Sequence, residues 1–280
     1  MKVAVTGASG FIGTHVVHEL SRLSIAATLV VNPSSAVPQF SGPHAMIGID
    51  LHNPPADAFR QLGSPDVVFH LAWGGLPNYK SRHHFDRELP AHYRFVQALV
   101  HAGLRHVVVT GTCFEYGFQC GALREDLEAR PTNAYGFAKD SLRRQLEYLQ
   151  KDEGFGLTWA RLFYLYGDGQ SGNSLLPQLR QAAQSGEALF NMSGGEQLRD
   201  YLPVTEVART LVALGLRNEN HGVVNVCSGR PISVRSLVEG WIQDNGWQIR
   251  PKLGYFAYAD YEPMAFWGDR EKLDRCMGVK

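Results

Sequence analysis

Tyr135 and Lys139 stand four residues apart in the run Pro131-Thr-Asn-Ala-Tyr-Gly-Phe-Ala-Lys139. Phe137, Ala138, Leu142 and Leu146 recur at helical spacing with charged residues between them, so a helix is expected here. Positions i and i+4 share one helix face. A phenol and an ammonium then point into the same space. A nearby cation favours the phenolate and lowers a tyrosine pKa from its usual ~10. Tyr135 becomes an acid or base usable near neutral pH. Upstream, Thr112 lies close enough along the chain for a loop and a helix start to bring it beside Tyr135. Its hydroxyl would serve the same substrate oxygen, or it is a turn threonine bonding its own backbone. Chance tyrosine–lysine pairs are common, so this reading depends on what surrounds the pair.

The elements ahead of the pair supply that context. Lys2 to Thr6 is β-rich, and Gly7-Ala-Ser-Gly10-Phe11-Ile12-Gly13 follows. Ile12, Val16, Val17, Leu20 and Leu23 then mark one face of a helix. Strand, glycine turn and helix form the setting of a dinucleotide-binding fingerprint. Gly7 permits the tight turn, Gly10 lets a pyrophosphate approach the backbone, and Gly13 lets helix pack on strand. The helix N-terminus, with Phe11 and Ile12, offers amide donors and dipole to the phosphates. The plain alternative is a glycine-rich connector.

A second strand, Ala26 to Val31, ends in Asn32-Pro-Ser34-Ser35. An acidic residue at this place would hold the ribose hydroxyls of NAD. Asn32 and the two serines remove the charge that would repel a 2′-phosphate. The expected cofactor is therefore NAD or NADP, tipped toward NADP, although no arginine stands by to clamp the phosphate and these residues also suit a plain turn. Ala45 to Ile49 is a third strand, followed by Asp50 and Leu51. Asp50 either reaches the adenine or caps a helix. Asp66 to Leu71 is a continuous apolar run, as in a strand buried on both faces. Leu71, Ala72 and the following Trp73-Gly-Gly let a cofactor pass close to the backbone. Trp73 either lines that site or covers the core. Arg105 to Thr110 is the fifth strand, with Thr110 at its cofactor end. Five strands alternating with helices predict an α/β fold, a Rossmann doubly wound parallel sheet.

Composition limits the other classes. The chain has 280 residues, enough for one large domain or slightly more. Acidic and basic residues balance at 27 each, so net charge implies neither nucleic acid nor an anionic membrane as partner. The four cysteines have no metal-ligand spacing and read as reduced thiols of a cytoplasmic protein. The N-terminus reads as strand and turn rather than signal peptide, and no apolar run approaches the ~20 residues of a membrane span. His83, His84 and His92 lack the carboxylate support of a metal site and are read as surface or helix residues, so no metal is expected.

Several motifs occur in one order: the Gly7 turn, His70-Leu71-Ala72, Thr112 ahead of Tyr116-Gly117, and Tyr135-x-x-x-Lys139. Arg161-Leu-Phe-Tyr164-Leu-Tyr-Gly167 and Gly194-Gly195-Glu-Gln-Leu-Arg199-Asp200-Tyr201 follow. Together they resemble the extended short-chain dehydrogenase/reductases, the NAD-dependent epimerase/dehydratase family acting on nucleotide sugars. The resemblance covers nearly the whole chain. It implies a catalytic triad of Thr112, Tyr135 and Lys139. It implies that Arg199 holds the nucleotide diphosphate or ribose, which suits a bidentate guanidinium; a salt bridge to Asp200 or a more distant acid is the alternative. It also implies a homodimer.

Departures from the family narrow the reaction. Its 4,6-dehydratases carry an Asp-Glu pair directly after the threonine, where this chain has Cys113 and Phe114. Glu115, one place on, touches substrate or faces solvent or a partner group. Tyr164 replaces an asparagine of the Arg-x-x-Asn-x-Tyr-Gly motif, and Glu88 replaces one early in the helix before the fifth strand. The expected substrate side comprises Trp73, Cys113, Phe114, Glu115, Tyr164, Asn173 in a glycine-rich loop, and Arg199. The aromatic run from Leu253 through Tyr261 to Trp267 would stack on the nucleotide, close the core or form a dimer contact.

Residues 1–165 are expected to bind the dinucleotide and include the catalytic helix; 166–280 form mainly a substrate-binding region, not strictly independent. Gly111-Thr-Cys-Phe-Glu-Tyr-Gly117, Phe190-Asn-Met-Ser-Gly-Gly-Glu-Gln197 and Glu262-Pro-Met-Ala-Phe-Trp-Gly-Asp269 resemble the family branch that makes dTDP-6-deoxyhexoses. That resemblance implies, as the leading expectation, an NAD(P)-dependent dehydrogenase or reductase at C4 of a nucleotide-linked, dTDP-type 4-keto-6-deoxyhexose. A nucleotide-sugar 4-epimerase holding NAD tightly is the alternative. A non-catalytic NAD(P)-sensing regulator is a third reading, although such proteins tend to lack the tyrosine–lysine pair kept here.

Overall fold

Short runs rich in valine and leucine form one parallel sheet. Its strands are β1 (Val3–Thr6), β2 (Ala27–Val31), β3 (Ala45–Gly48), β4 (Val67–His70), β5 (His106–Thr112), β6 (Gly156–Leu162) and β7 (Gly222–Val226). The computed structural model describes residues 1–33, 39–258, 260 and 262–279. The strand order is β7-β6-β5-β4-β1-β2-β3, with every neighbouring pair parallel. This is the Rossmann doubly wound arrangement. The chain builds outward from β1 through β2 and β3, then returns to place β4 on the other side of β1. That reversal opens a crevice at the carboxyl ends of β1 and β4, where ligands bind in such sheets. Strands β4 and β5 are buried along their full length, in keeping with the apolar runs Val67-Val-Phe69 and Val107-Val-Val109 at their centres.

Helices cover both faces. On one, α1 (Phe11–Arg22) packs against a later helix, with Val16, Val17 and Leu20 sharing a core with Val207 and Leu211. On the other, α2 (Leu89–His101) meets α3 (Ala134–Glu153), joining Phe95 and Leu99 to Leu142 and Leu146. Helix α3 is stopped at both ends by local chemistry. Asn133 caps it by accepting from the Gly136 amide at 2.8 Å. Gly154 ends it in the left-handed conformation.

The stretch Leu157 to Leu165 divides between two sheets. Strand β6 ends at Leu162, and Tyr164–Tyr166 pairs with Tyr201–Pro203 outside the large sheet. The chain then returns to the sheet through α4 (Val204–Leu216) and β7. Helices Leu175–Gln184 and Val234–Asn245 form a smaller cluster around Leu179, Phe190, Val238 and Trp241. Among the described residues, no helix is long and apolar enough to cross a membrane. Tyr261 lies outside the described residues.

Candidate active site

A cleft of about 560 Å³ lies over the carboxyl ends of β1, β4 and β5. Asn32, Asp50 and Leu51 line one end of it, and Gly7, Gly10, Phe11, Ile12 and Gly13 line its floor. Leu71, Ala72, Trp73 and Thr110 continue that lining toward Thr112, Tyr135 and Lys139. Ser34 and Ser35 lie outside the described residues.

The floor depends on glycine at two positions. Gly7 has φ +70°, and a Cβ there would lie 2.7 Å from the Ala72 nitrogen. A Cβ on Gly13 would lie 2.0 Å from the Gly7 oxygen, so only glycine lets α1 approach β1 this closely. Helix α1 starts from Gly10, which has no side chain to cap the first-turn amides. Those amides and the dipole behind them suit an anion. The cradle therefore fits the pyrophosphate of a nicotinamide dinucleotide. Asp50 caps no helix: its Oδ1 accepts from the His52 amide at 2.9 Å, closing a turn.

Tyr135 and Lys139 occupy the first turns of α3, on the face that also buries Ala138 and Leu142. Thr112 ends β5. Its Oγ1 accepts from the Phe114 amide at 3.3 Å, which leaves its own hydrogen for donation. The Tyr135 ring lies among Tyr79, His84, Trp73 and Phe114, with centroids 5.3–6.3 Å away.

These surroundings correct the expected acidity of Tyr135. Burial pushes its phenol above the ordinary range, Tyr79, Glu115 and Cys113 add to the rise, and Thr112 opposes it. Burial also pushes Lys139 down to about 7, against the pull of Glu115 and Glu88. Both groups lie among aromatic rings, so loss of water disfavours each charged form more than their proximity favours it. The Lys139 Nζ lies 4.2 Å from the centre of the Trp73 ring.

Of the residues expected on the substrate side, Trp73, Cys113, Phe114 and Tyr164 line the cleft. Trp73 also packs on the core beneath α2. Burial pushes the Cys113 thiol and the Tyr164 phenol well up. Glu115 does not line the cleft, and its expected contact with substrate is corrected. It is fully buried beneath the site, accepting from Arg161 Nε at 2.6 Å, Trp159 Nε1 at 3.0 Å and the Thr112 amide at 2.8 Å. Three converging donors account for a carboxylate held so deep. Asn173 is exposed and off the cleft, its carbonyl accepting from Gln178 Nε2 at 2.6 Å.

Arg199 is also off the cleft lining, and only 4% exposed. Its Nη2 and Nε donate to Glu262 at 2.9 and 3.2 Å, and its Nη1 donates to the Leu198 and Met264 carbonyls. The salt-bridge partner is thus Glu262 rather than Asp200. Asp200 instead accepts from the Ser228 and Gly229 amides at 2.7 and 2.9 Å.

The histidines differ most from expectation. His84 and His92 do lie on helical turns, but both are buried rather than at the surface, and Glu88 between them is 1% exposed. Glu88, His92 and His52 line the cleft beside Trp73. The signal in the sequence is the four-residue spacing of His84, Glu88 and His92, which aligns them on one inward face. Leu76, Tyr79 and Gln170 complete the cleft without any motif to announce them.

Comparison with known proteins agrees with this geometry. The model of the NAD dependent epimerase/dehydratase family matches residues 3–227. The chain is 28% identical over 276 residues to the dTDP-6-deoxy-L-talose 4-dehydrogenase (NAD(+)) of Aggregatibacter actinomycetemcomitans, covering 96% of this chain and 99% of that protein. It resembles MoeE5 in complex with UDP-glucuronic acid and NAD, with TM-score 0.84 and 29% identity over 99% of this chain and 93% of that one. It also resembles the UDP-N-acetylglucosamine 4-epimerase of Methanobrevibacter ruminantium M1 in complex with UDP-N-acetylmuramic acid, with TM-score 0.87 and 25% identity over 98% of this chain and 91% of that one. With the glycine cradle, the doubly wound sheet and the match over most of its length, the chain belongs to the NAD dependent epimerase/dehydratase family.

Proposed function

We propose that this protein is an oxidoreductase that transfers hydride between NAD or NADP and C4 of a nucleotide-linked 4-keto-6-deoxyhexose, with dTDP as the nucleotide. One observation carries the reading. Thr112, Tyr135 and Lys139 line a single cleft with the glycine turn, and the two positions after Thr112 hold a thiol raised by burial and a phenyl ring. Neither residue can deprotonate a sugar carbon or protonate a leaving hydroxyl. Tyr135 remains as the proton shuttle, which suits oxidation or reduction at one hydroxyl-bearing carbon. Similarity to a dTDP-6-deoxy-L-talose 4-dehydrogenase supports the choice of sugar.

When bound, the dinucleotide supplies or accepts the hydride. Lys139, lining the same cleft as Tyr135, would hold the ribose hydroxyls of that dinucleotide. Burial keeps Tyr135 protonated, the form that delivers a proton to the C4 oxygen during reduction. Thr112 donates its free hydrogen to the same oxygen as charge develops there. Tyr79, Phe114 and Trp73 surround the phenol and exclude water. Arg199 reaches the substrate diphosphate by exchanging Glu262 for phosphate oxygens. Residues 1–165 hold the dinucleotide and 166–280 supply most of the sugar-nucleotide side, in a cytoplasmic homodimer.

A 4-epimerase is the second reading, favoured by the likeness to a solved 4-epimerase. The test is a screen of dTDP-, GDP-, UDP- and CDP-linked 4-keto sugars with NADH and NADPH, followed at the nicotinamide absorbance. The proposal expects consumption of reduced cofactor with the dTDP-linked 6-deoxy sugar above the others. No consumption with any 4-keto sugar, together with interconversion of a 4-hydroxy UDP-sugar without added cofactor, contradicts it.

A further inference from the structure

Glu88 closes a wide π-helical turn, His84–Glu88, that leads into α2. Its carboxylate is the meeting point of an unusual set of donors. Oε2 accepts from the Gly74 amide at 2.7 Å and from His92 Nε2 at 3.1 Å. Oε1 accepts from His52 Nε2 at 2.8 Å and lies 2.9 Å from His83 Nε2. The contacts continue inward: His92 Nδ1 lies 2.8 Å from His70 Nε2, and His70 Nδ1 lies 2.9 Å from Thr6 Oγ1. The Thr6 hydroxyl in turn accepts from the Ala72 amide at 3.4 Å.

The direction of this chain follows from the inventory of donors. An ionised carboxylate only accepts, so His92 Nε2 carries the hydrogen between them. Burial keeps His92 and His70 neutral, and a neutral imidazole has one donor and one acceptor. His92 Nδ1 must then accept from His70 Nε2, and His70 Nδ1 must accept from Thr6. Every bond points toward Glu88.

The segment held at both ends is Ala72–Gly74, and Trp73 is its middle residue. The Trp73 indole stacks on His92 at 4.7 Å and 15° and lies under the Lys139 ammonium. Its Nε1 donates to His84 Nδ1 at 3.1 Å, while His84 Nε2 donates to the Asn78 carbonyl at 2.9 Å.

We propose that Glu88 is a positioning residue for the reaction: it pins the Ala72–Gly74 loop directly at Gly74 and through His92, His70 and Thr6 at Ala72, and so fixes Trp73 against Lys139. The kinetic part of this proposal rests on the oxidoreductase reading, and the structural part does not. Glu88 acts through Trp73 and Lys139. A small displacement of a catalytic group lowers turnover by as much as about a hundredfold.

The test uses the full-length protein and three measurements. Imidazole nitrogen NMR of the wild type should show His70 and His92 as neutral Nε2–H tautomers at neutral pH. Either ring as a cation or as the Nδ1–H tautomer overturns the proposal, whatever the substrate proves to be. Amide hydrogen exchange without ligand should show Gly74 protected in the wild type and in Glu88→Gln, whose amide oxygen still accepts, and unprotected in Glu88→Ala. Gly74 protection that survives Glu88→Ala overturns it. With an accepted substrate, Glu88→Ala should lower kcat by about ten- to a hundredfold with little change in KM for the sugar nucleotide, and Glu88→Gln should restore most of it. Glu88→Gln as impaired as a folded Glu88→Ala would replace positioning by a requirement for charge. If Glu88→Ala does not fold, the wild-type tautomers and Glu88→Gln still decide.

Discussion

Lys139 carries its ammonium 4.2 Å from the centre of the Trp73 ring, and burial brings its pKa down to about 7. The indole face and the fields of Glu88 and Glu115 offset only part of the lost hydration. A lysine so placed costs stability whenever it is charged. Below about pH 7 it is charged in both the native and the unfolded chain, and the cost is present in full. Between that value and 10.5 the unfolded chain binds the extra proton, so stability rises with pH.

Lys139→Met removes this dependence. Urea unfolding of the ligand-free protein should show the variant gaining on the wild type at pH 6 to 7, approximately. The gap should narrow as pH rises to about 10. A gap that stays flat across that window contradicts the placement of Lys139.

Tyr135→Phe keeps the ring contacts with Tyr79, Trp73 and His84 and removes only the hydroxyl. Turnover should fall by about 10²- to 10⁴-fold. Dinucleotide binding, followed by nicotinamide fluorescence, should stay near the wild type. Loss of both together would assign the phenol to binding rather than proton transfer.

Glu115→Ala leaves the Arg161 guanidinium and the Trp159 N–H buried without their acceptor. Removing one partner of a buried pair costs about 3–5 kcal/mol. The urea midpoint should fall accordingly, and Thr112 should lose the bond that fixes its amide. A midpoint near the wild type would show that Arg161 finds another partner.

Arg199 and Glu262 form a switchable pair if the diphosphate recruits the guanidinium. Glu262→Gln weakens the competitor, so KM for the sugar nucleotide should fall several-fold while kcat changes little. A stability loss with KM unchanged would assign Arg199 to the fold alone.

The parts of the site legible in the sequence are the local ones. The glycine turn is set by backbone conformation within one short segment, and the Tyr135–Lys139 face by four-residue spacing on one helix. Thr112 was legible from its short distance along the chain to Tyr135. The role of Glu115 was not, because its partners Trp159 and Arg161 stand 44 and 46 residues away, on a neighbouring strand. Arg199 reaches Glu262 across 63 residues for the same reason. The spacing of His84, Glu88 and His92 was visible, but its inward direction depends on a π-helical turn and on His70 from β4. The tyrosine acidity was misjudged because proximity of a cation is written in the sequence, whereas depth of burial is not.

The most direct test of the central claim follows the hydride itself. The enzyme is given reduced dinucleotide carrying deuterium at the transferable C4 position, with a dTDP-linked 4-keto-6-deoxyhexose. One deuterium per product molecule is expected, at C4 of the sugar, with one oxidised dinucleotide for each. Reduced product without deuterium at C4 would contradict that claim; so would a 4-keto sugar left unreduced while a 4-hydroxy nucleotide sugar is interconverted without added dinucleotide, which would make the protein an epimerase.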